Sequence, residues 1–176
     1  IAPIVNIYGL AAAANQLYSY NPFAAGSTTA YAPVIMNGYY GYNTALVIQN
    51  IGASSAAVTV TYTNGTTANY NIAAGAAQSI FTPAAGIPAG NTLYGATITS
   101  TNAQPIVVLV NESNGYNRAA SYTGFPSGST EVRAPIVEKR YYGYNSSVTC
   151  QNVGTLSTTM TIAYAGVAGT TASPSI

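Results

Sequence analysis

The side chains that ordinarily carry catalysis are scarce in this chain. Among 176 residues there is no histidine, the three acidic residues are the glutamates Glu112, Glu131 and Glu138, the four cations are Arg118, Arg133, Lys139 and Arg140, and the single thiol is Cys150. Acid–base and nucleophilic catalysis near neutral pH draw on His, Asp, Glu, Lys and Cys. Here a serine nucleophile has only Lys139 as a side-chain base, and a Cys–His pair is impossible. A glutamate pair for glycoside hydrolysis has to come from the short stretch between 112 and 138. The expectation is a protein that is not an enzyme and needs no cofactor. Imidazole and clustered thiolates are the usual transition-metal ligands, so no metal site is expected either. Calcium could use Asn side chains and carbonyls, but no Asp-rich loop gathers them.

The abundant reactive type is tyrosine, with 16 residues. Tyr39-Tyr40-Gly41-Tyr42-Asn43 returns as Tyr141-Tyr142-Gly143-Tyr144-Asn145, an offset of 102 residues. The same offset pairs Ala32-Pro33 with Ala134-Pro135, Gln49-Asn50 with Gln151-Asn152, Gly52 with Gly154, Thr59 with Thr161 and Tyr62 with Tyr164. Upstream it pairs Ser19-Tyr20 with Ser121-Tyr122, Phe23 with Phe125 and Gly26-Ser27-Thr28 with Gly128-Ser129-Thr130. Such self-similarity marks a tandem duplication of one domain-sized unit.

Exposed tyrosines give large, stiff, amphipathic contact area. The repeated segment therefore reads as a subunit contact or a sugar-binding edge, beside the structural reading of an aromatic plug at the end of a pair of sheets. The candidate contact residues are Tyr39, Tyr40, Tyr42, Tyr141, Tyr142 and Tyr144. Glu138, Lys139 and Arg140 join them, because they replace the neutral Met36-Asn37-Gly38 and make the second copy unlike the first. Cys150 stands where the first copy has Ile48, which predicts a small buried hydrophobe. Asn64, Asn111 and Asn145 each begin an Asn-x-Ser/Thr sequon and are glycan acceptors if the cell glycosylates. Asn64, at a predicted hairpin tip, is the most accessible of the three.

The elements that position these residues read as β. Val58-Thr59-Val60-Thr61-Tyr62 and Ala96-Thr97-Ile98-Thr99 alternate strictly, which places apolar residues on one face and threonines on the other. Asn64-Gly65 between alternating runs is a strong hairpin signal. Strands are expected near 32–36, 44–50, 56–63, 67–72, 77–82, 92–100 and 105–111. The predicted organisation is an orphan strand at 1–9, a connector at 10–31, a complete β-sandwich at 32–111, a second connector at 112–132 and a partial sandwich at 133–176. The orphan matches 103–111 at the same offset, so Pro3, Ile4, Val5, Ile7 and Tyr8 form a candidate donor strand. The start at Ile1 in place of Met suggests a processed chain, for which a removed signal peptide fits.

Composition narrows the partners. Charged residues are 4 % of the chain, against roughly 25 % in ordinary soluble domains, yet apolar residues are plentiful, so the solvent face must be Thr, Ser, Asn, Gln and Gly. A net charge of +1 leaves no electrostatic footprint for nucleic acid or an anionic membrane. No apolar run reaches the roughly 18 residues of a membrane span. A surface so weakly charged favours self-association, and copies of the chain itself are the expected partner.

The repeated Ala-Pro…Tyr-Tyr-Gly-Tyr-Asn…Gln-Asn-x-Gly segment and the closing Ala96-Thr97-Ile98-Thr99-Ser100…Gln104-Pro105-Ile106-Val107-Val108 resemble the tandem immunoglobulin-like repeats of large prokaryotic cell-surface proteins. The resemblance implies an antiparallel immunoglobulin-like β-sandwich, with one complete and one incomplete copy of a ~102-residue repeat. It also implies an extracellular location. The low charge and displaced strand are similar to fibre subunits that assemble by donating a strand. The functional expectation is thus a structural subunit of an extracellular filament, pilus-like fibre or surface layer. The alternatives are an adhesion module that binds a surface glycan or protein through its tyrosine loops, or a window on a longer repeat array.

Overall fold

Short alternating runs favour extended chain over helix. The computed structural model, which describes residues 3–8, 16–164 and 170–172, is all-β with antiparallel sheets and has no α-helix among those residues. It comprises two compact units, Ile1–Ser127 and Gly128–Ile176.

The first unit contains β1 (Val5–Tyr8), β2 (Leu17–Tyr20), β3 (Thr29–Tyr39), β4 (Tyr42–Asn50), β5 (Ala56–Tyr62), β6 (Thr67–Ile72), β7 (Ala77–Phe81), β8 (Leu93–Ser100), β9 (Ile106–Ser113) and β10 (Ala119–Thr123). The strands expected between 32 and 111 are β3 to β9, with ends displaced by no more than three residues. The ladder runs β10-β9-β4-β3-β8-β5-β6, and β7 pairs with β4. Inward side chains from both halves of the ladder form one hydrophobic cluster. It holds Leu46 and Ile48 of β4, Val108 and Val110 of β9, Val58, Val60 and Tyr62 of β5, and Ala96 and Ile98 of β8. Thr59, Thr97 and Thr99, which alternate with them, stay half-buried on the other face, as the period of two requires.

β3 joins the two halves. It pairs with β8 from Thr29↔Thr99 to Ala32↔Ala96, then shifts register and resumes at Ile35↔Tyr94. Pro33 and Val34 occupy the bulge, where a residue without an N–H loses nothing from the ladder. The backbone of Val34 is satisfied by one side chain. Its N–H donates to the Tyr122 hydroxyl at 3.0 Å, and that hydroxyl donates to the Val34 carbonyl at 2.7 Å.

Both segments expected as connectors contain strands. β2 lies within 10–31, and the end of β9 together with β10 lies within 112–132. β10 pairs with β9 from Ala119↔Ser113 to Thr123↔Leu109, so the ladder continues past the predicted stop at 111. The intervening turn is closed by Asn114, whose Oδ1 accepts the N–H groups of Tyr116, Asn117 and Arg118 at 3.1 Å each. Residues 1–9, predicted as an orphan strand, hold β1, which pairs with β2 of the same chain from Val5↔Tyr20 to Tyr8↔Leu17. β1 and β2 occupy positions 102 residues ahead of β9 and β10. The two copies thus pair corresponding segments.

The second unit contains β11 (Lys139–Tyr141), β12 (Tyr144–Asn145), β13 (Thr161–Ala163) and β14 (Thr170–Ala172), paired β11 with β12 and β13 with β14. Its turns repeat those of the first. Asn50 Nδ2 donates to the Ser54 carbonyl at 2.7 Å and its Oδ1 accepts the Gly52 N–H at 2.9 Å, while Asn152 does the same with Leu156 at 2.9 Å and Gly154 at 3.0 Å. Cys150, predicted to be buried, is exposed. Its counterpart Ile48 lies between Gln78 of β7 and Val108 of β9, whereas residues 146–150 belong to no strand.

Candidate functional site

The repeated tyrosines form the tip of the β3–β4 hairpin. Tyr39↔Tyr42 is the last cross-strand pair, and the connection is the two residues Tyr40-Gly41, with φ of 45° and 84°. Positive φ at both positions defines a type I′ turn, whose twist matches that of the strands it joins. Gly41 adopts this at no steric cost, but a bulky aromatic such as Tyr40 is strained there. The tip is braced from the side. The Tyr40 N–H donates to Asn91 Oδ1 at 3.1 Å, the Gly90 N–H to the Asn37 carbonyl at 2.8 Å, and Asn37 Nδ2 to the Ile87 carbonyl at 2.8 Å.

The root of the hairpin is a buried cycle of hydrogen bonds. The Met36 N–H donates to Thr44 Oγ1 at 2.9 Å, the Thr44 N–H donates to Thr82 Oγ1 at 3.0 Å, and Thr82 Oγ1 donates to the Met36 carbonyl at 2.5 Å. Backbone groups of Met36 and Thr44 thereby have partners in the interior.

The second unit builds the same tip from Lys139 to Asn145. Tyr142 and Gly143 have φ of 46° and 84°, against 45° and 84° at Tyr40 and Gly41. The Tyr39–Tyr40 rings meet edge to face at 4.8 Å and 83°, and the Tyr141–Tyr142 rings at 4.8 Å and 86°. Asn43 Oδ1 accepts the Gly38 N–H at 2.9 Å, and Asn145 Oδ1 accepts the Arg140 N–H at 3.0 Å. Gly38 has φ of 77°, so Arg140, at 58°, takes a left-handed position that glycine fills in the first copy. Tyr141, Tyr142 and Tyr144 are all exposed, as are Lys139 and Arg140, while Glu138 is half-buried.

In the first unit the three tyrosines border an open cleft of about 310 Å³. Tyr39, Tyr40 and Tyr42 line it with Met36, and Glu112, Arg118, Ala119 and Ala120 line it from the β9–β10 hairpin. Glu112 continues the inward alternation of Val108 and Val110, so its carboxyl points toward the end of the core. Its Oε1 is buried and accepts no hydrogen bond. Burial pushes its pKa up to about 7. The Tyr122 hydroxyl is likewise pushed up by burial, with the bond to Val34 opposing the rise and the charge of Glu112 adding to it.

Sequence reasoning did not single out Glu112 or Arg118 as parts of this site. The signal was present in the parity of Ile106, Val108, Val110 and Glu112, which makes Glu112 the charged residue on an inward face. Of the candidate donor-strand residues, Pro3 and Ile4 precede β1 and Val5, Ile7 and Tyr8 lie within it, and Ile4 and Ile7 are exposed. Among the sequons, Asn64 is exposed at the β5–β6 turn, where Gly65 has φ of 86°. Asn111 is half-buried in β9 with its Oδ1 accepting Ser121 Oγ at 2.7 Å, and Asn145 is held in the second tyrosine turn.

No family model matches this chain, and no curated protein matches it. Among solved structures, the crystal structure of Thermotoga maritima 1070 is similar at 20 % identity and a TM-score of 0.47, covering 57 % of this chain and 94 % of that one.

The raised pKa of Glu112 sets a pH dependence. Folding shifts it from the ordinary 4.5 to about 7, so the folded state holds this proton more tightly than the unfolded chain. That contribution is fully present below about pH 4.5 and is lost as pH rises through 7. No histidine titrates in the same window. Unfolding measured from pH 4.5 to 8 should show the first unit losing stability with rising pH, by less than the roughly 3.5 kcal/mol that ~1.4 kcal/mol per pKa unit sets as a ceiling, because solvent screens a carboxyl that is partly open to water. Glu112→Gln should flatten the profile; an identical slope in the variant would contradict the assignment.

Proposed function

We propose that this protein is a structural and adhesive subunit of an extracellular surface assembly, and that its tyrosine hairpins are the contact elements. The observation that carries this is the left-handed backbone at Tyr40 and Tyr142, each with its ring exposed, Tyr40 by 73 % and Tyr142 by 86 %. Asn or Gly is the low-cost residue at the first position of such a turn. A strained, exposed aromatic kept in both copies is what a contact surface needs, because it presents a stiff ring with few rotors to freeze on binding. The immunoglobulin-like sandwich is the architecture we assign to the module. It is supported by two halves of an antiparallel ladder sharing one core. The scarcity of charge fits a chain that meets copies of itself, since little repulsion keeps neutral surfaces apart.

Replacing both Tyr40 and Tyr142 by Asn separates contact from architecture. The double variant should unfold no more easily than the parent, with a gain of up to about 1 kcal/mol per site from relieved strain. It should also lose self-association in sedimentation velocity and adhesion to its native surface. Clear destabilisation with association intact would make the rings structural.

A second reading, assembly of a homopolymer by β-strand complementation, is favoured by the correspondence of β1 with the part of β9 that pairs with β4. Ile4 and Ile7 are exposed on that segment, and a strand edge offering backbone groups and apolar side chains suits addition to a neighbour. Since β1 pairs with β2, donation takes place from its other edge or after the hairpin opens. Deleting residues 1–9 should abolish polymerisation under conditions where the parent forms fibres; normal fibres from the truncated chain would exclude this mode.

A further inference from the structure

The cleft beside the first tyrosine hairpin holds chemistry that a protein-contact role alone leaves unused. Glu112 and Arg118 both line it, yet they do not pair with each other; the ion pair among the described residues is Arg133 with Glu131, at 2.8 Å. The cleft therefore offers one acidic and one cationic group to whatever enters. A cationic ligand meets Arg118 and an anionic one meets Glu112. A neutral ligand bearing groups that both donate and accept hydrogen bonds suits both, and hydroxyls are such groups. The walls, Tyr39, Tyr40 and Tyr42 with Met36, supply apolar faces. A volume of about 310 Å³ is at the small end of ligand clefts, which run from roughly 300 to 1,000 Å³. That suits one ring better than an extended peptide.

We propose that this cleft binds a single neutral hexopyranose unit of a glycan, with its C–H face against the tyrosines and its hydroxyls hydrogen-bonded to Glu112 and Arg118. The site rests on the hairpin being a contact element, as proposed above, and adds a ligand class to it. It belongs to the first unit as built. Leu10 stands at the repeat position of Glu112, so the carboxylate is a feature of one copy and not of the duplicated module.

The test is calorimetric titration of the full chain with the neutral trisaccharides of glucose, galactose, mannose and N-acetylglucosamine, and with Nα-acetyl-lysine amide as the cationic competitor. At least one neutral trisaccharide should bind at or below millimolar concentration. Glu112→Gln and Tyr42→Ala should each weaken it at least tenfold while circular dichroism stays unchanged, and Leu156→Ser, an exposed substitution in the second unit, should leave it intact. Binding of the free trisaccharide and retention on the matching insoluble polysaccharide both support the site, and distinguish a free sugar from a polymer as its source. Binding of the lysine amide with no sugar binding, no binding by any sugar, or sugar binding that survives both Glu112→Gln and Tyr42→Ala overturns it. If the sugars fail while the Asn substitutions at Tyr40 and Tyr142 still abolish self-association, the sugar site is wrong and the hairpin remains a protein contact. If the sugars bind and those substitutions leave association untouched, the reverse holds.

Discussion

The hydrogen-bonded cycle of Met36, Thr44 and Thr82 holds the point on which the first unit turns. β3 serves β8 along most of its length and then diverges to form a hairpin with β4, and a strand that changes partner inside a protein exposes N–H and C=O groups to a medium without water. Leaving such groups unmade costs about 1–3 kcal/mol each. Two threonine hydroxyls and three backbone groups close on one another, and all three residues are buried. Tyr122 performs the same service at the bulge, where its hydroxyl takes both backbone groups of Val34. The tyrosine tip is consequently anchored at its base by geometry that does not depend on the tip itself.

The scarcity of charge shapes the rest. With one salt bridge among the described residues, polar satisfaction falls to Asn, Thr, Ser and Tyr, whose bonds are short-range and directional. Asn50 is the clearest case, fully buried, with its amide bonded to the carbonyls of Ser54 and Ile72 and its Oδ1 to the Gly52 N–H. Asn43, Asn64, Asn114 and Asn145 likewise accept backbone N–H groups in turns. In such a background one buried carboxyl stands out. Glu112 sits where the alternation of β9 leaves the apolar core and reaches the cleft, so burial raises its pKa and no neighbouring cation offsets the effect.

Much of the architecture is legible in the residue pattern, and the reasons are local. Val58 to Tyr62 and Ala96 to Ser100 alternate because each strand has one buried face, and the 102-residue repeat doubles the evidence for every element it covers. The Asn64-Gly65 turn follows from the need for positive φ, which Gly65 adopts. Other features depend on contacts distant in sequence. β10 looks like a connector because Ala119, Ala120 and Ser121 carry little hydrophobic signal, and only the ladder with β9 makes it a strand. Cys150 inherits an isoleucine's position but not the strands that cover Ile48. The tyrosines were identifiable from their repetition, whereas the left-handed backbone at Tyr40, the partnerless Oε1 of Glu112 and the approach of Arg118 arise from the meeting of two hairpins.

Each copy of the tyrosine hairpin holds an exposed tyrosine in a left-handed backbone conformation that a bulky side chain ordinarily avoids. Scalar couplings and backbone chemical shifts for Tyr40 and Tyr142, measured by NMR, test this most directly. Positive φ is predicted at both tyrosines. A negative φ at either one would contradict it.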